Sequence, residues 1–273
     1  MSATVETVIA IIERLIPPEL AESWDNVGLQ IGSANWGVRK IRVALDPTPD
    51  VIETSCDDGI DLLLTHHPLI FKPLKKIDLG TPQGALFQKA IAHRMAIYAA
   101  HTNYDRIAEG LNDLLAKKIG LGQLRPLEPY SPPPGADPSD SHGLGRIGAL
   151  DQPMSLMLLA KRLKQQLNID SVRMAGRADL KVSTVALCTG SGSSLLSLFL
   201  KSGAQVYISG DLRYHDARTV EEADLGLIDI GHFSSEHLMV EALSKRLASV
   251  LKRENIDIEV TASRIEKDPF SNV

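Results

Sequence analysis

Apolar and polar positions along this chain follow two alternating periods. Val5, Val8, Ile9, Ile12, Leu15 and Ile16 recur at helical spacing. That predicts an amphipathic helix over residues 4–16, stopped by Pro17-Pro18 because proline cannot continue a helix. Short, nearly unbroken apolar runs at 41–45, 62–64 and 96–100 predict buried strands. Helical stretches are expected at 50–57, 84–93 and 107–119. A later strand around Val185-Ala186-Leu187 is followed by helices expected at 195–201 and 234–250. Strands alternating with helices imply an α/β fold with mostly parallel or mixed sheets and helices on their faces.

The stretch Ser131-Pro132-Pro133-Pro134-Gly135-Ala136-Asp137-Pro138 reads as a linker, because proline and glycine at this density do not build a core. It divides the expectation into two domains, 1–127 and 128–273. The halves share landmarks in order. Val43-Ala44-Leu45 recurs as Val185-Ala186-Leu187. Gly59 and a strand ending Thr65-His66-His67 correspond to Gly203 and a strand ending Ser209-Gly210-Asp211. Two similar three-layer α/β domains are therefore expected, with corresponding strand ends facing a shared cleft that holds the functional site.

Composition narrows the picture. A chain of 273 residues can bury two cores, and 44% hydrophobic with 23% charged residues is ordinary for a globular protein. A net charge of -5 argues against general nucleic-acid binding, which needs a clustered positive field. Cys56 and Cys188 stand far apart, as in a reducing compartment without structural disulfides. No basic region precedes the first helix, and no long apolar run exists. A soluble cytoplasmic protein without a membrane partner is expected.

The chemistry lies in three histidine elements, each after an apolar run. His101-Thr102-Asn103-Tyr104-Asp105 and His232-Phe233-Ser234-Ser235-Glu236 both space a histidine and a carboxylate by three residues; the third is His66-His67-Pro68. Imidazole nitrogen and carboxylate oxygen are donors for iron, zinc, manganese or cobalt. Four histidines and two carboxylates exceed one tetrahedral ion and suit two. Adjacent strand residues point to opposite faces, so His66 and His67 are expected to serve different ions. Plainer roles exist: Glu236 as a first-turn carboxylate at a helix dipole, Asp105 as a capping residue. His93, His142, His215 and His237 lack a partner pattern.

Weaker signals surround these. In Cys188-Thr189-Gly190-Ser191-Gly192-Ser193-Ser194, the amides of Gly190, Ser191 and Gly192 could cradle a phosphate at a helix start, or simply form a tight turn. Arg213 and His215 could reach that phosphate from the next loop, or lie on the surface. Trp24-Asp25-Asn26 reads as a capped turn with a buried tryptophan.

Ser23-Trp24-Asp25-Asn26-Val27-Gly28-Leu29-Gln30, Leu64-Thr65-His66-His67-Pro68-Leu69-Ile70-Phe71, the HTNYD segment and Gly231-His232-Phe233-Ser234-Ser235-Glu236 together resemble the ring-hexamer dinuclear-metal-centre proteins, the GTP cyclohydrolase type 2 homologues. The resemblance spans nearly the whole chain in order. It implies metal ligation by His66, His67, Asp105, His232 and Glu236, with Glu236 bridging and His101 at or beside the ions. It places Trp24, Asp25 and Asn26 at the border of the cleft. It also implies a homohexameric ring, here the short form without an inserted middle domain.

Two functions follow from two divalent ions. One is a metal-dependent hydrolase acting through a hydroxide held between ions about 3.5–4 Å apart. Its substrate would be a nucleotide or other phosphate-bearing small molecule, by cyclohydrolase-like ring opening or phosphoester hydrolysis, with His101 or His215 as proton shuttle. The other is a non-catalytic ring serving as ion carrier, metallochaperone or interaction platform.

Overall fold

The computed structural model describes residues 3–131 and 142–271. Its first helix, α1 (Val5–Leu15), starts where the Thr4 side chain accepts from the Thr7 amide. The chain continues through β1 (Gly28–Ile31), β2 (Lys40–Ala44), α2 (Pro49–Asp57), β3 (Leu62–Thr65), α3 (Pro82–Ala92), β4 (Ala96–Ala99) and α4 (Thr102–Arg106). Thr48 and Thr81 cap α2 and α3 in the same way as Thr4, each with a proline at the helix start where no amide partner is needed. Then follow α5 (Leu111–Lys118), β5 (Leu121–Pro129), β6 (Gly143–Ser155), α6 (Leu156–Leu167), β7 (Arg173–Ala175), β8 (Lys181–Ser191), α7 (Leu196–Phe199), β9 (Val206–Gly210), α8 (Tyr214–Glu222), β10 (Gly226–Asp229) and α9 (His232–Glu236). The chain closes with α10 (Leu238–Arg253) and β11 (Glu259–Ala262). None of the helices is long and apolar enough to cross a membrane among the described residues.

Two compact units result, Met1–Tyr104 with Met239–Lys267, and Asp105–Leu238 with Asp268–Val273. The division expected at 127/128 thus falls instead at 104/105, and the chain returns to the first unit over Met239–Lys267. The reason is pairing: β11 joins the first sheet by lying parallel to β2, Glu259 opposite Lys40 through Ala262 opposite Val43. Residues 132–138 of the expected linker lie outside the described residues. The strands on either side of that stretch, β5 and β6, pair antiparallel within one sheet.

The first sheet has the order β1-β4-β3-β2-β11, parallel except for β1 against β4. β3 and β4 are buried at every position, which explains why they read as unbroken apolar runs. Ala44, Leu63 and Ile97 pack against Val51, Ile52 and Cys56 of α2 and Phe87 and Ala90 of α3. From the other face the Tyr98 hydroxyl donates to Glu13 of α1 at 3.5 Å.

The second sheet has the order β5-β6-β8-β9-β10-β7, with β8, β9 and β10 parallel and the outer strands antiparallel. Alternation sorts its side chains into two layers. Val185, Leu187, Val206, Ile208 and Ile228 meet Leu115 of α5 and Leu156, Leu159 and Leu163 of α6. Ala186, Cys188, Tyr207 and Leu227 meet Phe199 and Val220 on the opposite face. Buried Arg146 of β6 satisfies all five of its N–H groups. Nε and Nη2 donate to Asp113 of α5, Nη1 to the carbonyls of Gly143 and Gly145, and Nη2 also to the carbonyl of Ile107.

Several expected helices are broken. The helix expected over 107–119 is α5 alone, preceded by an irregular turn whose Glu109 amide donates to Asp113. That expected over 234–250 is two helices, α9 and α10, meeting at His237. That expected over 195–201 is a 3-10 turn, Ser193–Leu195, and the single turn of α7.

The internal similarity survives in the strand order. β2-α2-β3 and β9-α8-β10 are both parallel crossovers over a nine-residue helix. In each sheet three strands consecutive in the chain, β2-β3-β4 and β8-β9-β10, are parallel neighbours. That order is compatible with the expected match of the end of β3, at His66-His67, with the end of β9, at Gly210-Asp211.

Candidate metal centre

β3 ends at Thr65, and the chain leaves it without losing the sheet. The His66 amide donates to the Ala44 carbonyl and the His67 amide to that of Leu45, while the Thr65 hydroxyl donates to the His67 carbonyl at 2.8 Å. Both histidines therefore sit in a pinned bend beyond the strand, where strict alternation no longer applies. Their ring centroids are 5.0 Å apart, and each lies close to His101, at 5.1 and 5.5 Å. Donor atoms of His66, His67 and His101 all fall within 4.8 Å of one another. Alternation along a strand disfavours one ion shared by His66 and His67, yet past the strand end their donors and that of His101 lie close enough to share one.

Each ring in this unit has Nδ1 engaged by an oxygen. For His66 it is the Ala100 carbonyl at 2.9 Å, for His67 the Asp46 carboxylate at 2.7 Å, and for His101 the Asp25 carboxylate at 2.9 Å. A neutral imidazole whose Nδ1 donates keeps its Nε2 lone pair for a ligand. Asp25 is the most constrained of these partners, with its side chain buried. Burial alone would raise its pKa. Hydrogen bonds from His101 and from the Thr102 hydroxyl and amide outweigh burial and hold it at about 2.

The second unit repeats the device. His232 opens α9 directly after β10, and its Nδ1 meets the Asp211 carboxylate at 2.7 Å. Its Nε2 lies 2.9 Å from Glu236 Oε2, one helical turn on. Two donors at right angles around an ion, each about 2.1 Å from it, would stand about 3 Å apart. The pair therefore has the separation of neighbouring ligands.

Glycines make this approach possible. Gly210 lets the His232 backbone pass where a Cβ would stand 2.6 Å from its nitrogen. Gly190, with φ +62, leaves the space that Glu236 fills. Asp105, on α4, has its carbonyl held by the Asn112 amide group at 3.0 Å; the other end of Asn112 accepts from Thr189 of β8. Burial pushes the Cys188 thiol far up, and the carboxylates of Asp105 and Glu236 push it the same way. Both carboxylates therefore act on one buried locality of this unit.

The remaining candidates lie differently. β8 runs through Gly190 and Ser191, and Ser191 pairs with Gly210. The Gly190 amide donates to Ser235 Oγ at 2.8 Å, so it is not presented to a phosphate. The Gly192 carbonyl accepts from the Tyr207 hydroxyl at 2.8 Å. Arg213 and His215 are exposed at the start of α8, where Arg213 closes a capping box with Asp216. Trp24 is 59% exposed, contrary to the expectation of a buried ring. Asn26 bonds Gln30 and the Ile70 carbonyl.

Sequence reasoning missed Asp46 and Asp211, which orient His67 and His232. A signal existed, since both carboxylates stand 21 residues before their histidine. Each lies just past the end of the strand that neighbours the histidine's own.

The chain matches the family described as Duf34/NIF3 (NGG1p interacting factor 3) over residues 3–269. It is 33% identical to a "GTP cyclohydrolase 1 type 2 homolog" of Clostridium acetobutylicum over 99% of both chains. Among solved structures, a Bacillus cereus protein related to NIF3 superimposes with a TM-score of 0.93 at 27% identity, covering 100% of both chains. A Staphylococcus aureus protein does so at 0.90 and 30%, covering 99% of both. By sequence over nearly its whole length, the chain belongs to the Duf34/NIF3 family.

Proposed function

We propose that this protein holds two divalent ions through His66, His67, Asp105, His232 and Glu236, with His101 at or beside them, and is a metal-dependent hydrolase. Its substrate class is a nucleotide or another phosphate-bearing small molecule. One observation carries the reading: His66, His67, His101 and His232 all have Nδ1 committed to an oxygen acceptor. Four rings in one tautomer, with nearby carboxylates, fit a cation better than any role in packing. Nitrogen and oxygen donors without thiolate suit iron, zinc, manganese or cobalt.

Such ions, when bound, make water acidic enough to attack near neutral pH and polarise a carbonyl or phosphoryl oxygen. The chain's own residues prepare this. Asp46, Asp25 and Asp211 fix the imidazole planes and make Nε2 more basic. The name carried by the Clostridium relative supports a nucleotide substrate and ring opening. Burial of His66 and Glu236 favours a second reading, retention of the ions by a carrier or interaction platform. The homohexameric ring implied by resemblance belongs to the same proposal, and sedimentation tests it.

Elemental analysis of wild type and a His66→Ala, His67→Ala variant, followed by nucleotide and phosphoester assays, tests the whole. The expected result is about two ions per chain, lost in the variant, with metal-dependent turnover. Two ions without turnover would move the protein to the carrier reading. A chain that takes up no metal on reconstitution would overturn both.

A further inference from the structure

Beside His101 two large aromatic rings face solvent, Trp24 at 59% and Phe71 at 48% exposure. The ring centroids of Trp24, Phe71 and His101 form a near-equilateral triangle with sides of 5.9, 6.2 and 6.4 Å, each pair inclined edge to face. His101 is in turn one corner of the histidine triad. The aromatic pair thus adjoins the donor atoms of its own unit.

Polar bonds hold the two rings in the open. On the Trp24 side, the next residue, Asp25, is fixed by His101 and Thr102. On the Phe71 side, the Ile70 amide donates to Gln30 Oε1 at 3.1 Å, and the Asn26 side chain donates to the Ile70 carbonyl. Gln30 Nε2 closes the clip on the Asn26 carbonyl at 2.8 Å. Exposed aromatic faces kept rigid are a stacking platform whose ordering is complete before a ligand arrives. The segment leaving Phe71 is exposed throughout and brings Lys72, Lys75 and Lys76. Positive charge next to stacking rings complements an anion that carries a flat ring.

We infer that Trp24 and Phe71 bind the planar base of a mononucleotide, with Lys72 and its neighbours toward its phosphates, so that the base is stacked beside His101. This rests on the proposed hydrolase for what happens next, but binding is measured apart from turnover.

The test titrates metal-loaded protein with guanosine triphosphate and with inorganic triphosphate, by equilibrium dialysis and by tryptophan emission. Trp24→Ala and Phe71→Ala remove exposed side chains and should fold normally. Each is expected to weaken guanosine triphosphate binding about tenfold or more, with inorganic triphosphate binding, metal per chain and sedimentation unchanged. Equal affinity of both variants and wild type for guanosine triphosphate would overturn the inference. So would a change of oligomeric state in the variants without a change in nucleotide affinity, which would make the pair a contact between copies. Base-dependent binding without turnover would uphold the platform while removing the hydrolase.

Discussion

A Cβ on Gly190 would stand 2.1 Å from Glu236 Oε1 and 3.4 Å from His232 Nε2, so the absence of a side chain on β8 is what admits the carboxylate on α9. Of the two roles the sequence left open for this turn, phosphate cradle or tight turn, neither includes the steric one that Gly190 has here. Gly190→Ala should therefore lower metal content, because Glu236 must move. It should also destabilise the fold, since alanine at positive φ costs about 1–2 kcal/mol before the clash is counted. Gly192→Ala is the control: its methyl meets Ser209 and Tyr207 instead, so stability should fall with metal retained. Equal metal loss in both variants would remove Gly190 from the site.

Asp46 and Asp211 make a separate prediction. Both are partly exposed, at 40% and 50% of the side chain, so asparagine in either place should leave stability nearly unchanged. Each substitution should weaken metal binding by about 10- to 100-fold, because the imidazole loses the carboxylate that orients it. Competition with a chelator of known affinity measures the change. Wild-type affinity in both variants would mean the carboxylates only decorate the rings.

Arg146 and Asp113 form a buried pair with every guanidinium N–H engaged. Arg146→Met should cost about 3–5 kcal/mol in urea unfolding, since it strands a buried carboxylate. Adding Asp113→Leu should recover part of the loss. An Arg146→Met protein as stable as wild type would show that solvent reaches Asp113.

Asp216 gives a pH dependence away from the candidate ligands. Burial raises its pKa, but the Ser193 hydroxyl, the Arg213 amide and the Arg213 charge together lower it. A carboxyl depressed by folding stabilises above its unfolded pKa of about 4, and that contribution disappears as pH falls through the lower folded value. Urea midpoints from about pH 6 downward should fall less steeply for Asp216→Asn than for wild type, with the difference confined to the acid range. Parallel curves would mean the capping box contributes nothing at any pH.

What was legible in the sequence follows from where information is local. β2, β3 and β4 are short apolar runs because both faces of their sheet are covered, and the run itself carries that fact. The histidines end such runs, so their grouping at strand ends could be expected. The unit boundary could not, because β11 is short, half-exposed and specified only by its pairing with β2. Asp46 and Asp211 escaped because each acts across to the neighbouring strand, and their shared 21-residue spacing gains its meaning from the strand order. The exposure of Trp24 escaped because a tryptophan beside a capped turn defaults to burial. Nothing in its neighbours signals the clip between Asn26, Gln30 and Ile70.

The parallel crossovers carry a consequence of their own. Asp46 meets His67, and Asp211 meets His232, only while Ala44 stays opposite Thr65 and Ser209 opposite Asp229. A strand slipped by one residue would turn each histidine away from its carboxylate while leaving much of the apolar run buried. Under the proposed function, affinity for a cation becomes a gauge of correct strand registration, and a misfolded chain that looks compact would betray itself by failing to bind.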